Sequence, residues 1–365
     1  MVRVLGQRTA DRGGQHVRLG RYRATDGSDG ARVGLDVERP HAAVVVGKRG
    51  SGKSHTLGVL AEGLARAEGV APIVVDPMGA LDGLVEPATG ASVPARVIRT
   101  PTVRADTIPP DAWCDLLGLD HASPAGSLVW QAAAAADTLE EMTDAVEGSD
   151  ADRSSIRAAK NHLVLADSWG VFDPGGLRPE DVDVDSATVV DCTQLPAAAS
   201  NAVVRALARG CYDARIAGEM TRLPWLLLDE AHVYFEGVAE PALRTLLTRG
   251  RSPGVGFVAA TQRPGALPEV ALAQADLLIA HRLTARPDRE MLARTRPSYL
   301  EGSLLDRVPA SVGGAAVVDD ATADVHAIRV RERHTPHGGG SPRASAVAEN
   351  ARTTGDRRSS SDWAT

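Results

Sequence analysis

The feature that most constrains the fold is a glycine-rich segment set between a short apolar run and a helical pattern. Residues 47–54 read GKRGSGKS and match G-x-x-x-x-G-K-[ST] in full. The preceding run, 42–46, is apolar throughout, as in a buried parallel strand, and residues 54–68 carry apolar side chains at helical spacing. A strand, this motif and a helix in that order predict a loop that binds the phosphates of a nucleotide.

Each position in the motif has a chemical reason. Glycines let the backbone curl so that its N–H groups converge on a phosphate, and the helix adds the positive end of its dipole. We predict that Lys53 contacts the β- and γ-phosphates of ATP and that Ser54 places its hydroxyl on Mg²⁺. The predicted ATP-binding residues are Gly47, Lys48, Arg49, Gly50, Ser51, Gly52, Lys53, Ser54 and His55. The alternative, a glycine turn with an incidental lysine, does not account for the flanking strand and helix.

A second apolar run ends in two acids. Residues 226–230 read LLLDE, which is typical of a Walker B strand. Asp229 is the predicted Mg²⁺ ligand, and Glu230 is the predicted residue that polarises the attacking water. A plainer interpretation is that both acids cap the helix that follows. The pairing with the phosphate loop favours the catalytic interpretation, and the glutamate favours hydrolysis over nucleotide binding alone.

Two weaker signals follow. Gln262 ends the next predicted strand, where a polar side chain can sense the γ-phosphate. Three arginines lie before that strand, at Arg244, Arg249 and Arg251, and one of them is a candidate arginine finger offered to a neighbouring subunit. We choose Arg251, with Arg249 as the alternative. Solvated surface arginine explains the same residues equally well.

The chain is predicted to be α/β with a mainly parallel sheet. Residues 1–40 have a short N-terminal β pattern, and the core strands and helices fall in 41–105 and 186–333. Residues 106–185 are rich in helical patterns and predict an insertion. Residues 334–365 hold too few apolar side chains to offset the entropy of folding, so we expect a disordered tail.

Composition limits the partners. The formal net charge is -7, and only Lys48, Lys53 and Lys160 are lysines, so any contact with nucleic acid requires a local arginine-lined surface. No apolar run reaches the about 20 residues of a membrane span, and no secretory signal is evident. The three cysteines are far apart in sequence, which argues against a zinc site or a disulfide framework. We therefore expect a cytoplasmic protein.

The chain resembles the HerA/FtsK superfamily of P-loop ATPases, and HerA-like DNA translocases in particular. The resemblance rests on the phosphate loop with its flanks, IVVDPMGAL, LLLDEAH, GRSPGVGFVAATQRP and ADLLIAHRL. It implies a RecA-like core, catalytic roles for Lys53, Asp229 and Glu230, a sensor role for Gln262 and a finger role for Arg251. It further implies hexameric rings that pump double-stranded DNA in DNA processing or repair, in some relatives with a nuclease partner.

Two departures from the family pattern bear on these implications. The roughly 40 residues before the first core strand are fewer than the N-terminal β-barrel that docks a nuclease in HerA. An arginine expected just before the phosphate-loop strand is replaced by His41, which places a sensor role for Arg39 in doubt.

Three functions compete at this point. The first is a ring-forming, DNA-stimulated ATPase that translocates on duplex DNA. The second is a soluble motor for protein or conjugative DNA transport that does not itself move along duplex DNA. The third is a nucleotide-dependent switch with negligible turnover, which the pair of acids at 229 and 230 disfavours.

Overall fold

The computed structural model describes residues 2–7, 13–24, 26–86, 92–294, 304–308 and 311–336. All but the first three residues of the predicted tail lie outside these ranges. Within the described residues no helix is both long and apolar enough to cross a bilayer.

The described strands are joined in a single twelve-stranded sheet. They are β1 (Val2–Leu5), β2 (His16–Arg23), β3 (Asp29–Asp36), β4 (Ala42–Val46), β5 (Val70–Asp76), β6 (Ala95–Ile98), β7 (Ala187–Asp191), β8 (Leu223–Leu228), β9 (Gly256–Thr261), β10 (Leu277–Ala280), β11 (Gly314–Asp319) and β12 (Asp324–Val330). Their spatial order is β1-β3-β2-β12-β11-β10-β4-β9-β8-β5-β7-β6.

The sheet has a parallel half and a mixed half. From β10 through β4, β9, β8, β5 and β7 to β6, all neighbours are parallel. On the other side, β10, β11, β12, β2 and β3 pair antiparallel, and β1 pairs parallel with β3. The prediction of a mainly parallel α/β core is therefore confirmed, and the N-terminal β segment extends the main sheet.

The helices cover both faces of the parallel half. They are α1 (Lys53–Leu64), α2 (Pro110–Leu117), α3 (Pro124–Ala135), α4 (Leu139–Glu147), α5 (Arg153–Asp167), α6 (Pro179–Val182), α7 (Ala197–Ala217), α8 (His232–Phe235), α9 (Glu240–Arg249), α10 (Glu269–Ala273) and α11 (Arg286–Arg294). Helices α2 to α6 fall within the stretch predicted as a helical insertion.

Alternation along the central strands divides the core in two. On β4, Val44 and Val46 belong to the cluster that includes α7 and α9, whereas Ala43 and Val45 belong to the cluster that includes α1. Each strand is thus buried on both faces, which is why its sequence is a continuous apolar run. The insertion has a third cluster of its own around Trp113, whose ring lies 4.8 Å from that of Phe172.

Candidate nucleotide-binding site

The candidate site lies where the central parallel strands end. Strand β4 leads into the phosphate loop, and β8 leads into Asp229 and Glu230. Strand β9 separates β4 from β8, with Val46 opposite Thr261 and Leu228 opposite Ala259. Because the three strands are parallel, their carboxyl ends meet at one edge of the sheet, where ligands bind in open α/β folds.

Three positions of the loop favour glycine, two because of their backbone conformation and one because of lack of space. Gly50 and Gly52 have φ angles of 73° and 120°, which favour glycine. A Cβ on Gly47 would lie 2.4 Å from Ser51 Oγ and 2.6 Å from the Cβ of His281. Ser51 Oγ donates to the Lys48 carbonyl at 2.8 Å and so closes the loop on itself.

Lys53 is a buried cation at the first turn of α1, with only 5% of its surface exposed. Burial lowers the pKa of its ammonium, and the carboxylates of Glu230 and Asp229 oppose that shift. Its Nζ lies 3.5 Å from the Lys48 carbonyl. A poorly hydrated ammonium at this place is suited to bind phosphate oxygens, because they would supply the counter-charge that burial withholds.

A buried histidine that sequence reasoning missed supports the loop from behind. His281, at the end of β10, is fully buried. Its Nδ1 donates to the Gly314 carbonyl at 2.9 Å, which leaves Nε2 as the acceptor for the Thr56 hydroxyl at 2.8 Å. The Lys48 amide also donates to the Arg282 carbonyl at 2.9 Å. Only the position of His281 directly after an apolar strand signalled its place.

Asp229 is almost completely buried and is placed to meet a cation. Burial raises the pKa of its carboxyl, the Ser54 hydroxyl lowers it by hydrogen bonding, and Glu230 raises it again. Ser54 and Asp229 therefore share the edge of the site, as the sequence predicted for Mg²⁺ ligands. In the described residues no three His, Cys, Asp or Glu side chains cluster as a metal cage. Mg²⁺ binds with nucleotide through one or two carboxylates and phosphates, so the donor set fits.

Glu230 has a strained backbone and an unsatisfied carboxylate oxygen. Its φ of 47° lies in the left-handed region, which is uncommon for a residue other than glycine. Its Oε2 is buried without a hydrogen-bond partner within the described part of the chain. His232 Nδ1 lies 3.4 Å from Oε2 and 3.2 Å from Thr261 Oγ1. The Glu230 carboxylate thus makes few hydrogen bonds of its own, which suits it to accept a proton from a water molecule in the site.

The weaker candidates occupy different edges of the sheet. Gln262 follows directly on β9, half-buried and beside the end of β4. Arg251 precedes β9 and forms an ion pair with Asp276, so it lies at the amino edge, opposite the phosphate loop. The His55 ring hydrogen-bonds the Arg331 carbonyl at 2.7 Å, which ties it to the segment after β12.

His41 occupies a polar site of its own, away from the phosphate loop. Its Nε2 lies 3.0 Å from Asp36 Oδ2, and its Nδ1 lies 3.8 Å from Asp276. Arg39 lines the same pocket, at the amino edge of the sheet. His41, which stands where an arginine was expected, is therefore in contact with two carboxylates.

Comparison with known proteins gives one family and a consistent fold. Residues 17–164 match the family model of the helicase HerA central domain. The VirB4 structure of Thermoanaerobacter pseudethanolicus aligns with a TM-score of 0.65 and 14% identity, covering 88% of this chain and 97% of VirB4. The bacterial conjugative coupling protein TrwBΔN70 aligns with a TM-score of 0.56 and 16% identity, covering 83% of this chain and 87% of that one. A search of curated proteins returned no match.

The matched segment begins in β2 and contains the phosphate loop, and the structural likenesses extend over the sheet that carries Asp229 and Glu230. The fold is thus the RecA-like one that the sequence predicted. Over residues 17–164 the chain is similar to the central domain of the helicase HerA, and its fold is the one that VirB4 and TrwBΔN70 have.

Proposed function

We propose that this protein is a Mg²⁺-dependent ATPase that assembles as a homo-oligomeric ring and translocates on double-stranded DNA, in DNA processing or repair. One observation carries the hydrolytic part: a buried lysine, a hydroxyl and two carboxylates meet at one sheet edge. They are Lys53, Ser54, Asp229 and Glu230.

The residues divide the chemistry among them. The loop amides and Lys53 would hold the β- and γ-phosphates in line with the attacking water. The Glu230 carboxylate would accept the water's proton as the new P–O bond forms and the bond to ADP breaks. Ser54 and Asp229 would hold Mg²⁺, which neutralises charge on the phosphate oxygens. Gln262 would sense the γ-phosphate from the end of β9.

The proposed ring follows from the two edges of the sheet. Arg251 lies on the edge opposite the phosphate loop, so it can serve catalysis only in a neighbouring subunit. The match to the HerA central domain supports a ring acting on DNA, and we expect six subunits. A nuclease partner stays an open expectation, because the N-terminal strands continue the main sheet.

The fold likeness to VirB4 and to a conjugative coupling protein keeps the second candidate in view. A motor for protein or conjugative DNA transport would use the same ATP site. It would not move along duplex DNA itself, so stimulation of turnover by linear duplex DNA favours the first candidate.

The test is steady-state ATP hydrolysis with and without linear duplex DNA, at several salt concentrations. We expect turnover that rises with DNA. The Glu230→Gln variant should bind ATP but hydrolyse it at least about 100-fold more slowly, the usual contribution of a general base. Lys53→Ala should abolish turnover.

Full activity in Glu230→Gln would refute the assignment of the base. Turnover that ignores DNA at every salt concentration would retain the ATPase and favour a protein substrate. A protein that stays monomeric with ATP would count against the ring.

A further inference from the structure

Three arginines form a row across the N-terminal part of the sheet. Arg329 on β12 lies opposite Arg21 on β2, which in turn lies opposite Arg32 on β3. Direct cross-strand partners project from the same face, and neighbouring strands are about 4.8 Å apart. Like charges directly opposite one another destabilise a sheet. The row therefore has a cost for folding that packing does not explain.

Nearby acids only partly neutralise this row. The Asp29 carboxylate lies 3.3 Å from Arg23 and 3.9 Å from Arg329. Arg21 donates to the Gly30 carbonyl at 3.1 Å, a neutral acceptor. In the part of the chain that the structure describes, neither Arg21 nor Arg32 has a carboxylate close enough for an ion pair. Arg32 is exposed, and the Arg329 side chain is 51% exposed.

Two members of the row, Arg21 and Arg329, line a groove that adjoins a second groove. The first, of about 380 Å³, is lined by arginines and a histidine together with the acids Asp29 and Glu332. The adjoining groove, of about 490 Å³, shares part of that lining. The basic residues of the two are His16, Arg18, Arg21, Arg66, Arg329, Arg331, Arg333 and His334. We call the joined surface, with Arg32 beside it, the arginine groove.

We propose that the arginine groove binds the phosphate backbone of duplex DNA. The inference rests on the proposed function, for which it supplies a contact surface. Duplex DNA carries one negative charge per about 1.7 Å of its axis, and guanidinium groups bind phosphate oxygens in bidentate fashion. The whole chain has a formal net charge of -7, so this cluster of positive charge is local.

Two features connect the groove to the motor without placing it in the ATP site. Strands β11 and β10 separate β12 from β4, which leads to the phosphate loop, so DNA and ATP would not compete for space. Arg331 lines the groove and also binds Glu62 of α1, the helix that begins at Lys53. A backbone phosphate in the groove would therefore contact the segment that holds the phosphate-loop helix.

The experiment measures anisotropy of a fluorescein-labelled 30-base-pair duplex with the full chain at 50 to 200 mM KCl. The test variant combines Arg21→Gln, Arg32→Gln and Arg329→Gln. The control removes the same charge from exposed positions on α5 and α7, by Arg153→Gln, Arg157→Gln and Arg209→Gln.

We expect the test variant to bind the duplex about tenfold more weakly or worse. The slope of log K against log salt should become smaller in magnitude by about 2 to 3, because each lost phosphate contact removes about 0.9 from it. The control should bind as the unchanged protein does. Because the row is repulsive, the test variant should unfold at the same temperature or a higher one. Arg32→Gln alone, at an exposed side chain, should reduce the slope by about 1.

Unchanged affinity and slope in the test variant would overturn the groove, while DNA-stimulated turnover in the unchanged protein would keep the proposed function. Absence of both duplex binding and stimulation in the unchanged protein would overturn both. The same titration with an RNA duplex of equal length tests the choice of DNA. If the test variant lost RNA binding but kept duplex DNA binding, the groove would be an RNA site and the choice of DNA would be overturned.

Discussion

A single buried imidazole shows how the phosphate loop is held at the level of atoms. His281 uses both ring nitrogens, one on the Gly314 carbonyl and one on the Thr56 hydroxyl. Its Cβ and Ser51 Oγ together leave Gly47 no space for a side chain. Burial, aided by Lys53 and opposed by the hydrogen bond to Gly314, lowers the pKa of His281 to about 4. The neutral ring is thus part of the folded loop.

This histidine should make stability depend on pH. An unfolded histidine has a pKa of about 6.5, so below that pH the unfolded chain binds the proton that the folded chain excludes. Stability from His281 is complete above about 6.5 and falls as the pH drops towards 4, by up to about 1.4 kcal/mol per pH unit. We expect His281→Gln to lower the free energy of unfolding at pH 7 by about 1–3 kcal/mol.

Urea unfolding at pH 7, 6 and 5 measures the effect. The difference in free energy of unfolding between the unchanged protein and His281→Gln should narrow as the pH falls. Only the unchanged protein has a buried neutral imidazole whose protonation destabilises the fold. His121→Gln, at an exposed position of the insertion, is the control and should leave the pH dependence unchanged. A gap that stays constant from pH 7 to 5 would contradict the role given to His281.

Residue positions could be predicted best where the residues are close together in sequence. The phosphate loop could be predicted because its glycines, Lys53 and Ser54 are consecutive, so spacing alone fixes their geometry. His281 and Gly314 could not, because His281 comes near the loop only when β10 pairs with β4, and Gly314 only when β11 pairs with β10. The left-handed backbone of Glu230 also depends on tertiary structure, since no glycine marks it.

At the level of elements, α1 is held on two sides. One side packs into the core that includes Leu57 and Leu60. The other is crossed by residues 331–336, the segment that follows β12. Glu62 is fully buried. Its Oε2 accepts a hydrogen bond from Arg331 Nη1 at 2.7 Å, and its Oε1 accepts one from the Thr335 hydroxyl at 2.7 Å.

Glu62 should be a large contributor to stability for a polar residue. Burial acts to raise the pKa of its carboxyl, but donors from Thr335, Arg331 and His334 together bring it below its ordinary value. Glu62→Gln would leave the nearly buried Arg331 guanidinium without its counter-charge. Breaking such a pair typically costs 3–5 kcal/mol, so we expect a loss of about 3 kcal/mol in the free energy of unfolding.

The matched control is Glu68→Gln, which changes an exposed carboxylate four residues after α1 ends and should stay within about 0.5 kcal/mol. ATP affinity should also fall in Glu62→Gln, because α1 begins at Lys53. If Glu62→Gln were as stable as the unchanged protein, the segment after β12 would not stabilise the position of α1.

Strands could be predicted wherever the sequence has a continuous apolar run. The apolar runs at 42–46 and 226–228 are present as strands β4 and β8, and β8 begins three residues earlier, at Leu223. Strand β6 was missed, because ARVI at 95–98 is a half-exposed edge strand without a continuous apolar run. The continuation of the sheet from β12 into β2 could not be predicted, since that pairing joins residues about 300 positions apart.

For the whole molecule, the position of Arg251 decides what its role can be. Strands β4 and β9 are parallel, so the residue before β9 and the loop after β4 lie at opposite edges. Five strand residues at about 3.3 Å each separate these edges by roughly 16 Å. Within one subunit Arg251 binds Asp276. Catalysis by this arginine therefore requires a second copy of the chain.

A mixing experiment tests that arrangement. Arg251→Ala should bind ATP normally and hydrolyse it about 10³-fold or more slowly, the scale of an arginine finger. Mixed with Glu230→Gln, it should regain turnover, because a site between the two kinds of subunit combines an intact Glu230 with an intact Arg251. Arg249→Ala is the control, and turnover close to normal there separates the two arginines. If the mixture stays as inactive as either variant alone, Arg251 acts only through its ion pair with Asp276, and the finger must be sought elsewhere on the amino edge of the sheet.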